Sequence, residues 1–179
     1  MNNIGFGCAD FTIAVYIANK PNMLEYQQLT CISPLTLGEI DVINQACGNG
    51  WRKVFNVYAK LLYALDKRTF SYSELAPTWQ EYRDSFLLQP TSQTTLLFSP
   101  PLISTTEKNL HIICGKTYAK QLLTTGELVA NFVWLDDEFA IDESQNLVVC
   151  PYFDYRQLSN IKIEKLAGLL KGLKPKHYI

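Results

Sequence analysis

The chain alternates between short apolar runs and longer stretches of helical periodicity. Residues 11–18 (Phe-Thr-Ile-Ala-Val-Tyr-Ile-Ala) are β-branched and aromatic, which predicts a central strand. Asn19-Lys20-Pro21-Asn22 stops it, because proline cannot donate to a sheet ladder. The first ten residues carry no clear pattern and are read as irregular and mobile; residues 23–33 fit neither period. Thr36-Leu37-Gly38-Glu39 has capping-box spacing and predicts a helix to about Cys47, broken by Gly48-Asn49-Gly50. Over residues 51–65, Trp51, Val54, Phe55, Tyr58, Leu61, Leu62 and Leu65 form one broad stripe, with Arg52, Lys53, Asn56 and Lys60 off it. That is the clearest helix in the chain.

The second half switches more quickly. Ser71-Tyr72-Ser73-Glu74 and Thr78-Trp79-Gln80-Glu81 repeat the capping spacing and predict a short helix, then one ending near Leu88. Strands are expected at 94–98 and 110–114, a helix over 116–123 closed by Gly126, and a strand with a short companion at 131–135 and 139–141. Residues 147–150 are a short apolar run, the size of a buried strand. From Asn160 the spacing turns helical, with Ile163, Leu166, Leu170 and Leu173 on one face. This alternation predicts a single α/β domain over residues 1–179: a three-layer α/β/α sandwich around a mostly parallel sheet.

Composition narrows the class. With 179 residues, 47% apolar and 18% charged, the chain can bury a sizeable core and is not disordered. Net charge is −1, so no global basic field recruits nucleic acid. The charge is uneven: residues 127–143 hold six acids and no Lys or Arg, whereas residues 151–179 hold six cations against two acids. Such asymmetry marks either an anion-facing surface or, more simply, a solvated helix face. Five widely spaced cysteines, Cys8, Cys31, Cys47, Cys114 and Cys150, fit neither a disulfide framework nor a zinc site. They are expected to be free thiols in a reducing cytoplasm. No metal and no cofactor is implied, and no apolar run is long enough to span a membrane.

Candidate chemistry concentrates after the 147–150 strand. Tyr152, Phe153 and Tyr155 are placed to stack a flat ligand, while Asp154, Arg156 and Gln157 are placed to hydrogen-bond its edge, with Ser159 and Asn160 closing the loop. The plainer alternative packs the rings beneath the loop and pairs Asp154 with Arg156. A second candidate is Cys114-Gly115-Lys116-Thr117, where a helix start and Lys116 favour an anion; the simpler reading is a tight-turn glycine beside an exposed lysine. A third, Gly48-Asn49-Gly50 with Trp51 and Arg52, reads more simply as a turn. A fourth is Tyr16 to Pro21 at the end of the first strand, where Asn19 is in position to hold a water; a strand stop is the simpler reading. The only histidines, His111 and His177, form no nucleophile–base system, so a carboxylate (Asp154), an amide (Asn19) or a tyrosine would carry any catalysis.

Three of these segments together resemble the uracil-DNA glycosylase-like superfamily. Asn19-Lys20-Pro21 at a strand end is similar to its water-activating motif. Ile112-Ile113-Cys114-Gly115-Lys116-Thr117-Tyr118-Ala119 resembles its strand–glycine–helix unit. Val148-Val149-Cys150-Pro151, a polar loop, then Ser159-Asn160 resembles its final strand and minor-groove loop, with Pro151-Tyr152-Phe153 standing where the family has His-Pro-Ser. The resemblance implies a parallel sheet between helices and a nucleobase, nucleotide or nucleic acid as partner at the strand-end crevice. A non-catalytic protein-interaction domain, or a small-molecule enzyme using the same crevice, are the competing readings.

Overall fold

The computed structural model describes residues 1–104 and 106–173. His177, Lys174 and Lys176 lie outside the described residues. The fold is α/β, with eight strands in one sheet and six α-helices among the described residues. In chain order these are β1 (Gly5–Gly7), β2 (Ile13–Tyr16), α1 (Leu24–Gln27), β3 (Ile32–Ser33), α2 (Glu39–Cys47), α3 (Asn49–Ala64), α4 (Trp79–Ser85), β4 (Thr94–Leu97), β5 (Leu110–Cys114), α5 (Lys116–Thr125), β6 (Val133–Trp134), β7 (Ala140–Asp142), β8 (Leu147–Cys150) and α6 (Asn160–Leu173).

The sheet runs β3-β1-β4-β2-β5-β8-β7-β6. Its centre, β4-β2-β5-β8, is parallel throughout. Both flanks bring in antiparallel pairs: β1 with β4 on one side, and β7 with β8 and β6 with β7 on the other. The sheet is therefore mixed, with a parallel core. Central strands buried on both faces should read as continuous apolar runs, and β2, β5 and β8 do.

Alternate residues of those strands enter two cores. Ile13, Val15, Ile112, Cys114, Val148 and Cys150 face the large cluster with Val54, Phe55, Tyr58, Leu61 and Leu62 of α3 and Ile163, Leu166 and Leu170 of α6. Ala14, Tyr16, Ile113, Leu147 and Val149 face the smaller cluster with Ala119 and Leu122 of α5. The α3 stripe is thus core, as its period predicts.

Within the first ten residues, read as irregular, Gly5–Gly7 forms a strand. Gly5–Gly7 pairs with β4, and Phe6 is fully buried, edge-on to Tyr26 and Phe98 at 4.9 and 5.0 Å. A Cβ at Gly5 or Gly7 would overlap the Leu96 or Thr94 carbonyl oxygen, so glycine here permits close strand approach. The capping signals also resolve differently. Thr78 caps α4 by accepting from the Glu81 N–H at 3.2 Å. At α2 the Glu39 carboxylate accepts from the Thr36 hydroxyl at 3.0 Å, and the helix starts only at Glu39.

From β2 the chain crosses to β4 through helices on the α3 face. From β5 it crosses the other way, to β8, through α5 on the opposite face. The carboxyl ends of β2 and β5 therefore flank a topological switch point, where open α/β sheets leave a crevice.

Candidate functional site

A crevice of about 470 Å³ occupies that switch point. Ala18 and Asn19 line it beyond β2, Cys114 at the end of β5 and Gly115 just after it, and Pro151, Tyr152 and Gln157 beyond β8. Lys116, Thr117, Tyr118 and Gln121 contribute the first turns of α5, and Asp137 and Glu138 the tip of the β6–β7 hairpin.

Each wall has a local cause. Gly115 has φ +106°, a left-handed conformation that lets β5 turn at once into α5. Its N–H donates to the Cys150 carbonyl at 2.9 Å, pinning the corner to β8. The Asn19 amide donates to the Tyr152 hydroxyl at 3.3 Å, bridging the β2 and β8 sides. Burial raises the Tyr152 pKa against that bond, so the phenol keeps its proton. Burial likewise pushes Tyr118 up to about 12, aided by Glu127.

The hairpin tip is clasped by lysines. Lys116 Nζ donates to the Asp137 carbonyl at 2.8 Å and lies 5.1 Å from the Trp134 ring centre. Lys162 pairs with Glu138 at 2.7 Å, and Lys165 with Asp136. The Lys165 hydrogen bond, reinforced by the backbone N–H groups of Glu138 and Phe139, holds the Asp136 carboxyl down at about 2. Lys171 pairs with Asp66 at 2.9 Å. The basic helix and the acidic stretch thus neutralise one another in part, through Lys162–Glu138 and Lys165–Asp136.

The loop after β8 divides. Tyr152 and Gln157 line the crevice. Phe153 is fully buried on the α3 side, 5.9 Å from the Tyr58 ring, with its N–H 3.1 Å from the Cys114 sulfur. Asp154 accepts from Arg156 Nη2 and from Lys53 Nζ, both at 3.1 Å. The Arg156 side-chain bond, then its backbone N–H, then Lys53, hold this carboxyl well below the usual carboxylate range despite burial. Tyr155 is 58% exposed, with Lys53 Nζ 5.0 Å from its ring centre. The Ser159 carbonyl accepts from the Ile163 N–H at 2.8 Å in the first turn of α6. Asn160 lines a separate hollow with Lys60, Trp79 and Ile163. The structure therefore brings together Asn19, Lys116, Tyr152 and Gln157, while Phe153, Asp154, Tyr155, Arg156, Ser159 and Asn160 are absent from the crevice lining.

Burial pushes the Cys114 thiol up to about 12, so it is not a ready thiolate. Burial pushes His111 down to about 4, and its Nδ1 lies 2.8 Å from the Tyr16 hydroxyl on the α5 face of the sheet. All five cysteines are free thiols. No cluster of three or more His, Cys, Asp or Glu among the described residues could hold a metal ion. No helix among them is long and apolar enough to cross a membrane.

Sequence reasoning did not single out Tyr118, Gln121, Asp137 and Glu138. The first two share the crevice-facing side of α5 at i, i+3 spacing, a usable signal. The acids were visible as part of the acidic stretch 127–143, but the antiparallel return that brings them over the crevice was not.

The chain belongs to a family of unknown function, DUF6942, whose profile matches residues 4–171. No curated protein and no solved structure matches it. Membership covers nearly the whole chain, including every wall of the crevice.

Proposed function

We propose that the crevice binds a free heterocycle of nucleobase or nucleoside size. The observation that carries this is the convergence of Asn19, Tyr152 and Gln157 with the start of α5, at a switch-point cavity of about 470 Å³. That volume suits a small organic ligand, and apolar walls with a few convergent amides and hydroxyls suit a flat polar-edged ring. The resemblance to the uracil-DNA glycosylase-like superfamily is part of the same proposal. It draws support from the parallel strand core covered on both faces by helices and from the place of Asn19 at the end of β2.

A free ligand is favoured over a nucleic-acid strand. A strand needs a track of cations for its phosphates. Arg156, Lys162 and Lys165 are ion-paired, and Asp137 and Glu138 stand at the crevice.

Calorimetric titration with free nucleobases, nucleosides and single-stranded DNA at two salt concentrations tests this. Stacking is typically worth about 1–3 kcal/mol per base, so Tyr152→Ala should weaken binding about 5- to 150-fold. Asn19→Ala should weaken it less, and Tyr155→Ala should leave it unchanged. Failure of every nucleobase and nucleoside to bind below millimolar concentration, or equal binding by the Tyr152 variant, would refute the proposal.

A further inference from the structure

The second feature lies at the end of the sheet. Among the described residues β6 is the terminal strand and bonds only to β7. Leu135 N–H donates to the Phe139 carbonyl at 2.9 Å, and Val133 lies opposite Ile141. Backbone groups alternate sides along an antiparallel ladder, so those of Phe132 and Trp134 point away from the sheet.

Exposed edges are ordinarily blunted by charge, proline or a bulge. Both edge strands are two residues long, but the opposite edge is blunted by Pro34 directly after β3. Residues 131–135, Asn-Phe-Val-Trp-Leu, carry no charge and no proline. Val133 is 62% exposed, Leu135 44% and Trp134 37%. The Phe132 and Trp134 rings lie 6.4 Å apart. This is an apolar strand whose outer hydrogen-bonding side meets no strand among the described residues.

Charge selects the occupant. Beyond one end stands exposed Asp137, which holds Lys116 through its carbonyl and not its carboxylate. At the other end the Asn131 N–H donates to Asp142 at 2.8 Å, which brings exposed Glu143 beside the strand start. A second copy paired antiparallel about a twofold axis would set Asp137 of one chain towards Glu143 of the other, and like charges oppose that.

We infer that β6 is a docking edge for an extended peptide segment of a partner protein, apolar at alternate positions and carrying Lys or Arg at both ends. The peptide adds a ninth strand by main-chain bonds to Phe132 and Trp134. The contact is short, hence weak and transient. It does not depend on the crevice binding anything.

The probe is a fluorescent nine-residue peptide, Lys-Lys-Val-Thr-Val-Tyr-Val-Lys-Lys, followed by anisotropy at low and high salt. Controls are the same peptide with glutamates at its ends and a version N-methylated at alternate residues. Binding is expected to weaken with salt and to fall about tenfold or more with glutamate ends, a change equivalent to about 1.4 kcal/mol. The N-methylated peptide should not bind. Val133→Lys should weaken binding through side chains alone. Trp134→Pro should abolish it, because that N–H points outward and lies outside the β7 ladder. Equal binding of lysine- and glutamate-ended peptides, binding of the N-methylated form, or indifference to both variants overturns the inference. So does a dimer in sedimentation that Val133→Lys dissociates, since the occupant would then be a second copy.

Discussion

Loop 151–159 and hairpin 131–142 both reach the crevice, yet they are anchored by different physics. The loop is fixed from below. Phe153 fills the core against Tyr58, and Asp154 ties the loop to Lys53 of α3 and to Arg156. The hairpin tip is fixed from the side, by Lys116, Lys162 and Lys165 on α5 and α6, through partly exposed contacts. The loop carries the denser chemistry in sequence, but much of that chemistry is internal. The hairpin reads as an acidic spacer, but it supplies a crevice wall and an open strand. A side chain's type says what it can bond to; topology decides which partner it meets.

The sharpest way to break this contrast is within the loop itself. Phe153→Ala should destabilise the protein by about 3–5 kcal/mol, the usual cost of emptying a buried aromatic site. Tyr155→Ala, two residues on and largely exposed, should change stability by no more than about 0.5 kcal/mol. Urea unfolding of both variants measures the difference. Comparable losses would mean that the loop is not divided between core and surface.

Acid titration separates buried from clasped groups. His111 is neutral in the fold down to about 4, while the unfolded chain takes up its proton near 6.5. A depressed folded pKa means the stabilisation is complete above about 6.5 and is lost as pH falls towards about 4, by on the order of 3 kcal/mol. His111→Gln should flatten the stability profile in that window. Asp154 acts lower. Its carboxyl titrates in the unfolded chain near about 3.9 and well below that when folded, so its contribution is intact above about 3.9 and disappears on further acidification. Asp154→Asn should flatten only that lower limb. At neutral pH, Asp154→Ala should cost about 1–3 kcal/mol by stripping Lys53 and Arg156 of a charged acceptor.

Much of the fold is legible in the sequence. The α3 stripe, β5, the start of α5 and the start of α6 follow from periodicity and glycine placement, because each element buries one face and stops at a local signal. β1 was not legible. Gly-Phe-Gly has almost no strand propensity, and its two glycines are explained only by how closely β4 approaches. The crevice was legible in its strand-end walls, through Asn19, Lys116, Tyr152 and Gln157. The internal use of Asp154 was half legible: Arg156 is two residues away, whereas Lys53 is 101 positions distant and no local pattern pairs them. The blocks of opposite charge were visible, but their mutual neutralisation depends on α6 lying beside the hairpin tip.

The smallest expected effect tests that neutralisation. Lys162 and Lys165 are more than a third exposed, as are Glu138 and Asp136. Exposed pairs are typically worth about 0–1 kcal/mol, so Lys162→Ala and Lys165→Ala should each barely move global stability. Their local effect should be larger than their global one, because the tip has few other anchors and opens without unfolding the sheet. Hydrogen exchange at Glu138 and Phe139 N–H, both bonded to Asp136, reports that opening. In the double variant those amides should exchange faster while the amides of β5 stay protected. High salt should produce a milder version in the unmodified protein, since screening weakens exposed pairs. If the two amides keep their protection in both conditions, the ion pairs do not hold the tip. The Lys116–Asp137 carbonyl bond would then be its main anchor, and the difference between loop and hairpin would narrow accordingly.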